Sequence, residues 1–284
     1  MKSNKRFCFS ICNMLVSGLV IIGIIPFATN ASEDSCFSHI KYAKPMELRA
    51  KRGLYILIDE TVPLSKAMKA KVEHLLQGWG KQGDLVKIAR FSASYRGLYP
   101  ELLFSQKIES MPDKAFLYNL HYRDKKLIKN CLEEQKAKFN MEFGKQLKAA
   151  LKNINPKIPK SELLGSLKQL SKKLVVPDEA LEKTVFLISD GLQNSSALSF
   201  YSNKKLKNIK PRPTIAKLRR KGMLGYWNNT KVYMYGVGLM PDKKRYTNPK
   251  VIHNLKQFWE RYFVEGGAKV KEIGTPELLL TSIE

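Results

Sequence analysis

Apolar residues recur along this chain in two rhythms. Unbroken runs such as Leu54-Tyr55-Ile56-Leu57-Ile58, Val185-Phe186-Leu187-Ile188 and Val232-Tyr233-Met234-Tyr235 are short and show no polar alternation. Such runs predict strands buried on both faces, the pattern of a parallel sheet. The predicted strands are residues 53–59, 84–91, 101–108, 184–190, 231–237 and 268–273. The pair at 84–91 and 101–108, joined through a turn-like stretch, is placed at a sheet edge. Between the strands the spacing changes to three and four. Ala67, Met68, Val72, Leu75, Leu76 and Trp79 mark a helix over 65–79 with Gly78 and Gly80 at its end. Leu163, Leu164, Leu167, Leu170 and Leu174 mark another over 161–174, capped by Ser161. Helices are also predicted at 214–221 and 248–264, the second with Leu255, Phe258, Trp259, Tyr262 and Phe263 on one broad core-facing stripe.

Strands alternating with helices imply βαβ units. The expected architecture is α/β: a doubly wound, mostly parallel sheet with helices on both faces. Residues 112–159 interrupt the alternation with a Lys-rich helical insertion, whose Leu127, Cys131, Phe139, Phe143 and Leu147 are spaced for one packed face. No repeat of roughly 20 to 50 residues runs through the chain, which excludes solenoids and propellers.

The N-terminus follows a different plan. Lys2, Lys5 and Arg6 precede an apolar run over 14–27, then Ala28-Thr29-Asn30-Ala31. This is the layout of a secretory signal over 1–31, cleaved after Ala31. An uncleaved membrane anchor is the alternative, since about 20 mostly apolar residues follow from Phe7. Both imply an exported protein, periplasmic or secreted, in which an arm over 32–52 leads to one domain over 53–284. Cys8 and Cys12 lie inside the signal, leaving Cys36 and Cys131 in the remainder. In an oxidising compartment these form one disulfide closing a loop of about 100 residues, or stay as two buried thiols. His39, His74, His121 and His253 share no spacing with them, which disfavours a Cys/His zinc site.

Composition adds charge to this picture. The 284 residues include 50 Lys and Arg against 25 Asp and Glu, a formal charge of +25. Cleavage of the signal removes three cations, so the excess belongs to the folded part. An apolar fraction of 44% supports a real core and excludes wholesale disorder. The excess is densest at Lys204, Lys205, Lys207, Lys210, Arg212, Lys217, Arg219, Arg220 and Lys221, with no acid among them. Such a run suits an acidic protein, an anionic envelope polymer or lipid, or nucleic acid; a solvated loop is the plainer reading. Tyr201, Tyr226 and Trp227 lie nearby without the regular placement that base stacking needs.

Two buried strands end in an acid: Asp59 opens Asp59-Glu60-Thr61-Val62-Pro63-Leu64-Ser65, and Asp190 sits in Ser189-Asp190-Gly191. Ligands of doubly wound sheets bind beyond the strands' carboxyl ends, where strand order reverses. In this arrangement the chain resembles the von Willebrand factor A domain over roughly residues 53–275. The resemblance implies a divalent-cation site of the adhesion type, with Mg²⁺ or a similar ion completed by a partner's carboxylate. Carried over by position, Asp59 is the first acid, Thr61 keeps a hydroxyl where the family has its first serine, and Asp190 is the acid of the third loop. Ser161 is the match for the second-loop threonine. Pro63 replaces the second serine and offers no side-chain oxygen; Ser65 stands two residues on. Two carboxylates, two hydroxyls and water suit a hard cation. The alternative is that both acids only cap loops or helix starts. The implied function is an exported binding or assembly protein with a protein partner, reached by membrane only through an uncleaved signal. An anionic-polymer binder and a metal-dependent hydrolase using the same acids are the other readings. An enzyme has less support: phosphatases with an aspartyl nucleophile want a second Asp where Thr61 stands, and P-loop, nucleophile-elbow and dinucleotide fingerprints do not occur.

Overall fold

The computed structural model describes residues 35–38, 40, 49–92, 100–154, 162–195, 198–202, 205–240 and 248–283. The expected signal over 1–31, most of the arm, Ser161 and Lys204 lie outside the described residues. The strands are β1 Arg52–Asp59, β2 Asp84–Phe91, β3 Glu101–Lys107, β4 Glu182–Ile188, the short β5 Tyr201–Ser202 and β6 Lys205–Leu206, β7 Lys231–Tyr235 and β8 Lys269–Ile273. The helices are α1 Lys66–Leu75, α2 Lys114–Tyr118, α3 Tyr122–Lys152, α4 Leu163–Leu170, α5 Pro211–Arg220 and α6 Pro249–Glu265.

Six strands form one sheet in the order β3-β2-β1-β4-β7-β8. All neighbours are parallel except β3, which pairs antiparallel with β2 at the edge. The fold is therefore α/β and doubly wound, as the alternation of runs predicts. From β1 the chain moves outward through β2 and β3, then returns to the other side of β1 for β4, β7 and β8. Strand order thus reverses between β1 and β4, which opens a crevice at their carboxyl ends.

Alternation along each central strand feeds two cores. Leu54, Ile56 and Ile58 of β1 join α1 and α3 on one face, with Phe139, Phe143 and Leu147 of the insertion. Tyr55 and Leu57 face the other layer, with α4, α5 and α6. Period-two side chains explain why a strand sandwiched by helices reads as an unbroken apolar run. All five ring and leucine positions of the α6 stripe are fully buried, so that face is core. Phe258 and Trp259 meet edge to face at 5.1 Å between centroids.

The insertion is mostly α3, 31 residues and about 46 Å long. Phe139, Phe143 and Leu147 are buried and Cys131 is packed, as the spacing predicts; only the first position of the expected face shifts. Leu127 is exposed, while Ile128 and Leu132 are buried and form a small cluster with Cys36 and Phe37. Cys36 and Cys131 are joined as a disulfide, Cα atoms 5.6 Å apart, tying the arm to the insertion. Glu109 secures the same arm, accepting from Ser35 Oγ at 2.7 Å and from the Cys36 amide at 2.8 Å.

The helix preceding β4 is also corrected. It starts at Leu163, and its cap is Glu162, whose carboxylate accepts from the Gly165 amide at 3.2 Å. A π-helical turn follows over Ser171–Val175, with the Ser171 hydroxyl bonded to the Tyr226 carbonyl. Among the described residues no helix is long and apolar enough to cross a membrane.

Candidate functional site

The switch point between β1 and β4 holds the two acids. Ile58 and Ile188 are register partners in the parallel pair, so the next positions, Asp59 and Ser189, lie side by side. Asp59 is fully buried. Its Oδ2 accepts from the Ser189 hydroxyl at 2.8 Å, while Oδ1 accepts from the Thr61 hydroxyl at 2.6 Å and the Thr61 amide at 2.9 Å. The Ser189 hydroxyl also accepts from the Gly191 amide at 3.0 Å, so a single side chain joins the two loops.

Asp190 is buried as well, and its Oδ1 accepts from the Leu192 amide at 2.9 Å. Burial, then the negative charge of Asp59, raises its carboxyl well above the ordinary aspartate range. The two carboxyls thus share one poorly solvated crevice. Tyr201 feels it too: burial, then the Asp190 charge, pushes its phenol up to about 12.

Backbone geometry holds the third loop in place. Gly191 sits at φ +70°, where its carbonyl accepts from the indole of buried Trp259 at 3.0 Å. The Asp190 carbonyl accepts from the Gly238 amide at 2.9 Å, and the Ser189 amide donates to the Tyr235 carbonyl at 3.0 Å. The loop after β7 thus braces the loop after β4.

Asp59, Thr61 and Asp190 are accordingly brought to one place. Ser65 has another partner: it caps α1, accepting from the Met68 amide at 3.2 Å, and is exposed. Ser161 lies outside the described residues; the start of α4 is bound by Gln193. It is fully buried, donates to Glu162 Oε1 at 3.2 Å and Ser195 Oγ at 2.9 Å, and accepts from the Leu164 amide at 3.0 Å. Ser189, Tyr201 and Gln193 were not among the residues expected from sequence. Ser189 had a readable signal, since it immediately precedes the acid at a strand end; Gln193 comes from a loop and Tyr201 from the two-residue strand β5, neither within a motif. Among the described residues no group of three or more His, Cys, Asp or Glu gathers as a metal cluster, and the site's carboxylates number two.

The start of the basic run is linked to the Gln193 loop: the Lys207 amide donates to the Phe200 carbonyl at 2.8 Å and the Phe200 amide to the Gln193 carbonyl at 2.9 Å. Lys205, Lys207, Lys210, Arg212, Lys217, Arg219, Arg220 and Lys221 are all exposed. Ile215 and Leu218 turn α5 inward against α6. Arg219 pairs with Glu265.

No protein-family profile matches the chain, and no curated protein matches it. Solved structures do. Proximal thread matrix protein 1 from the mussel byssus is 13% identical over 74% of this chain, with a TM-score of 0.31. An aerotolerance-related membrane protein from Bacteroides fragilis is 11% identical over 78%, with a TM-score of 0.32. The pilus adhesin SpaC from Lactobacillus rhamnosus GG is 13% identical over 75%, with a TM-score of 0.35. The chain spans 39% of the mussel protein and 27% of the adhesin, against 92% of the Bacteroides protein. With TM-scores of this size, the fold and the site rest on the chain's own geometry.

Proposed function

We propose that this chain is an exported binding or assembly protein of the von Willebrand factor A type, which engages a protein partner at the β1–β4 switch point through a divalent cation. The observation that carries this reading is the buried pair Asp59 and Asp190, joined through Ser189 where strand order reverses. Two carboxylates that repel each other in a desolvated crevice are stabilised by a proton or by a cation.

The donor set fits a hard ion. Asp59 and Asp190 supply charge, and the hydroxyls of Thr61 and Ser189 supply neutral oxygens. Pro63 contributes none, so water or a partner carboxylate fills the remaining positions. The two carboxylates neutralise a divalent ion, so recognition of an acidic side chain rests on the ion's open coordination position, which that side chain's oxygen fills. The Cys36–Cys131 disulfide supports the compartment, because such bonds persist in oxidising surroundings.

The test is thermal unfolding in Mg²⁺, Mn²⁺ and EDTA. Saturating ion at one hundred times its Kd adds about 2.7 kcal/mol, several degrees for a domain of this size. Asp190→Ala abolishes the increment. Equal melting temperatures in all three conditions overturn the ion, leaving a scaffold whose acids serve only its loops. Immobilised protein that retains the same set of proteins in Mg²⁺ and in EDTA overturns the ion's part in recognition.

A further inference from the structure

The basic run acquires a shape that its sequence does not show. The start of α5 and the middle of α6 enclose an open groove of about 440 Å³, lined by Lys210 and Arg212 on one side and Asn254, Gln257 and Arg261 on the other. Its lining has three cations and no carboxylate. Among the described residues none of the three cations has a carboxylate within ion-pair distance, although Arg219, further along α5, is paired with Glu265. Arg261 is half-buried. A partly desolvated guanidinium with no counter-charge is costly to maintain, and an anion in the groove offsets that cost.

The groove is also held rigid. Ile215 and Leu218 anchor α5 in the core, and Leu255 and Phe258 anchor α6. Asn254 donates to Asn208 at 2.7 Å, tying the middle of α6 to the segment that leads into α5. The cations therefore project from fixed backbone.

We propose that this groove seats the phosphates of a linear, base-free phosphate polymer. A phosphate chain suits the groove because every internal unit keeps one negative charge on two non-bridging oxygens, which guanidinium forks bind bidentately, and repeats that charge at short intervals for two guanidinium forks and one ammonium. A chain fits better than a single ion because exposed Lys217, Arg220 and Lys221 continue the positive surface along α5, about 15 Å from end to end. A polymer without bases is favoured over nucleic acid because no aromatic side chain lines the groove for a base to stack on.

A protein carrying +25 attracts any polyanion, so the test must separate this groove from general charge. The full chain is titrated with fluorescent polyphosphate, followed by anisotropy at several salt concentrations. Arg212→Gln combined with Arg261→Gln is compared with Lys126→Gln combined with Lys129→Gln, an equal charge change at exposed positions on α3, across the sheet. The groove variant is expected to bind at least tenfold more weakly, with a salt slope smaller by about 2. The α3 variant changes affinity less than twofold. Unaltered circular dichroism and melting temperature confirm that both fold, and Lys210→Gln alone reports the groove independently. Equal weakening by the two double variants overturns the proposal in favour of diffuse charge. Tighter binding of single-stranded DNA of matched charge overturns the base-free polymer in favour of nucleic acid.

Discussion

Replacing Gly191 by alanine tests whether the loop carrying Asp190 is held by its contact with Trp259. At φ +70° an L-residue costs about 1–2 kcal/mol. The new methyl would meet Trp259 Nε1 at 2.5 Å, Trp259 Cδ1 at 3.1 Å and Met234 Cε at 3.2 Å. Trp259 and Met234 are fully buried, so neither has room to withdraw. Either the core is overpacked, at about 1–3 kcal/mol, or the loop retreats and the bond from the Trp259 indole to the Gly191 carbonyl is lost. An orphaned buried N–H also costs about 1–3 kcal/mol. These two costs are alternatives rather than additions, so with the backbone cost the expected total is about 2–5 kcal/mol. Gly222 is the control. It has φ +62° with no atom within 4 Å of an added Cβ, so Gly222→Ala carries the backbone cost alone, about 1–2 kcal/mol. Urea unfolding followed by tryptophan fluorescence, in EDTA, reads both. Trp259→Phe removes Nε1, and its combination with Gly191→Ala should cost less than the sum of the two single changes. If Gly191→Ala and Gly222→Ala cost the same within about 0.5 kcal/mol, the Trp259 contact does not hold the loop and the reasoning fails.

Asp190→Asn keeps the side chain's shape and its acceptor for Leu192 while removing the charge. The folded protein holds the Asp190 proton more tightly than the unfolded chain does. Its contribution is therefore full below the unfolded value of 3.8 and is lost as pH rises through the raised folded value. In EDTA, wild-type stability should decline from pH 4 upward relative to the variant, by about 1.4 kcal/mol for each unit of the raise; parallel curves would refute it. Ser65→Ala should cost about 1 kcal/mol by uncapping α1, equally in Mg²⁺ and EDTA. A cost seen only with Mg²⁺ would make Ser65 a ligand instead. Reducing the disulfide, whose cysteines are 95 residues apart, should lower stability by about 2–4 kcal/mol in urea. Unchanged midpoints in the oxidised and reduced proteins would mean the arm contributes nothing to the fold.

Much of the fold was readable because hydrophobic periodicity is a local property. The runs at β1, β4 and β7 report burial on both faces, and the α6 stripe reports one buried face, whatever lies across from them. Asp59 and Asp190 were legible for the same reason, as acids directly after such runs. Errors appeared where a local pattern tolerates a shift. In α3, Leu127 and Ile128 are adjacent apolar residues, and only the bonded arm at Cys36 and Phe37 selects Ile128. At α4 the cap expected from Ser161 is provided by Glu162, because Gln193 from a distant loop also binds that helix start.

What the sequence determined alone is the order and kind of the six sheet strands and the main helices, the acids at two strand ends and the pairing partners Cys36 and Cys131. Tertiary structure decided which atoms meet. The parallel register of β1 and β4 sets Ser189, rather than Asp190, against Asp59, and burial together with that charge raises the Asp190 carboxyl. The packing of α5 on α6 brings Arg261 to Arg212, 49 residues away in the chain. Period and propensity act over one or two turns, whereas crossover, register and desolvation depend on what the rest of the chain places alongside.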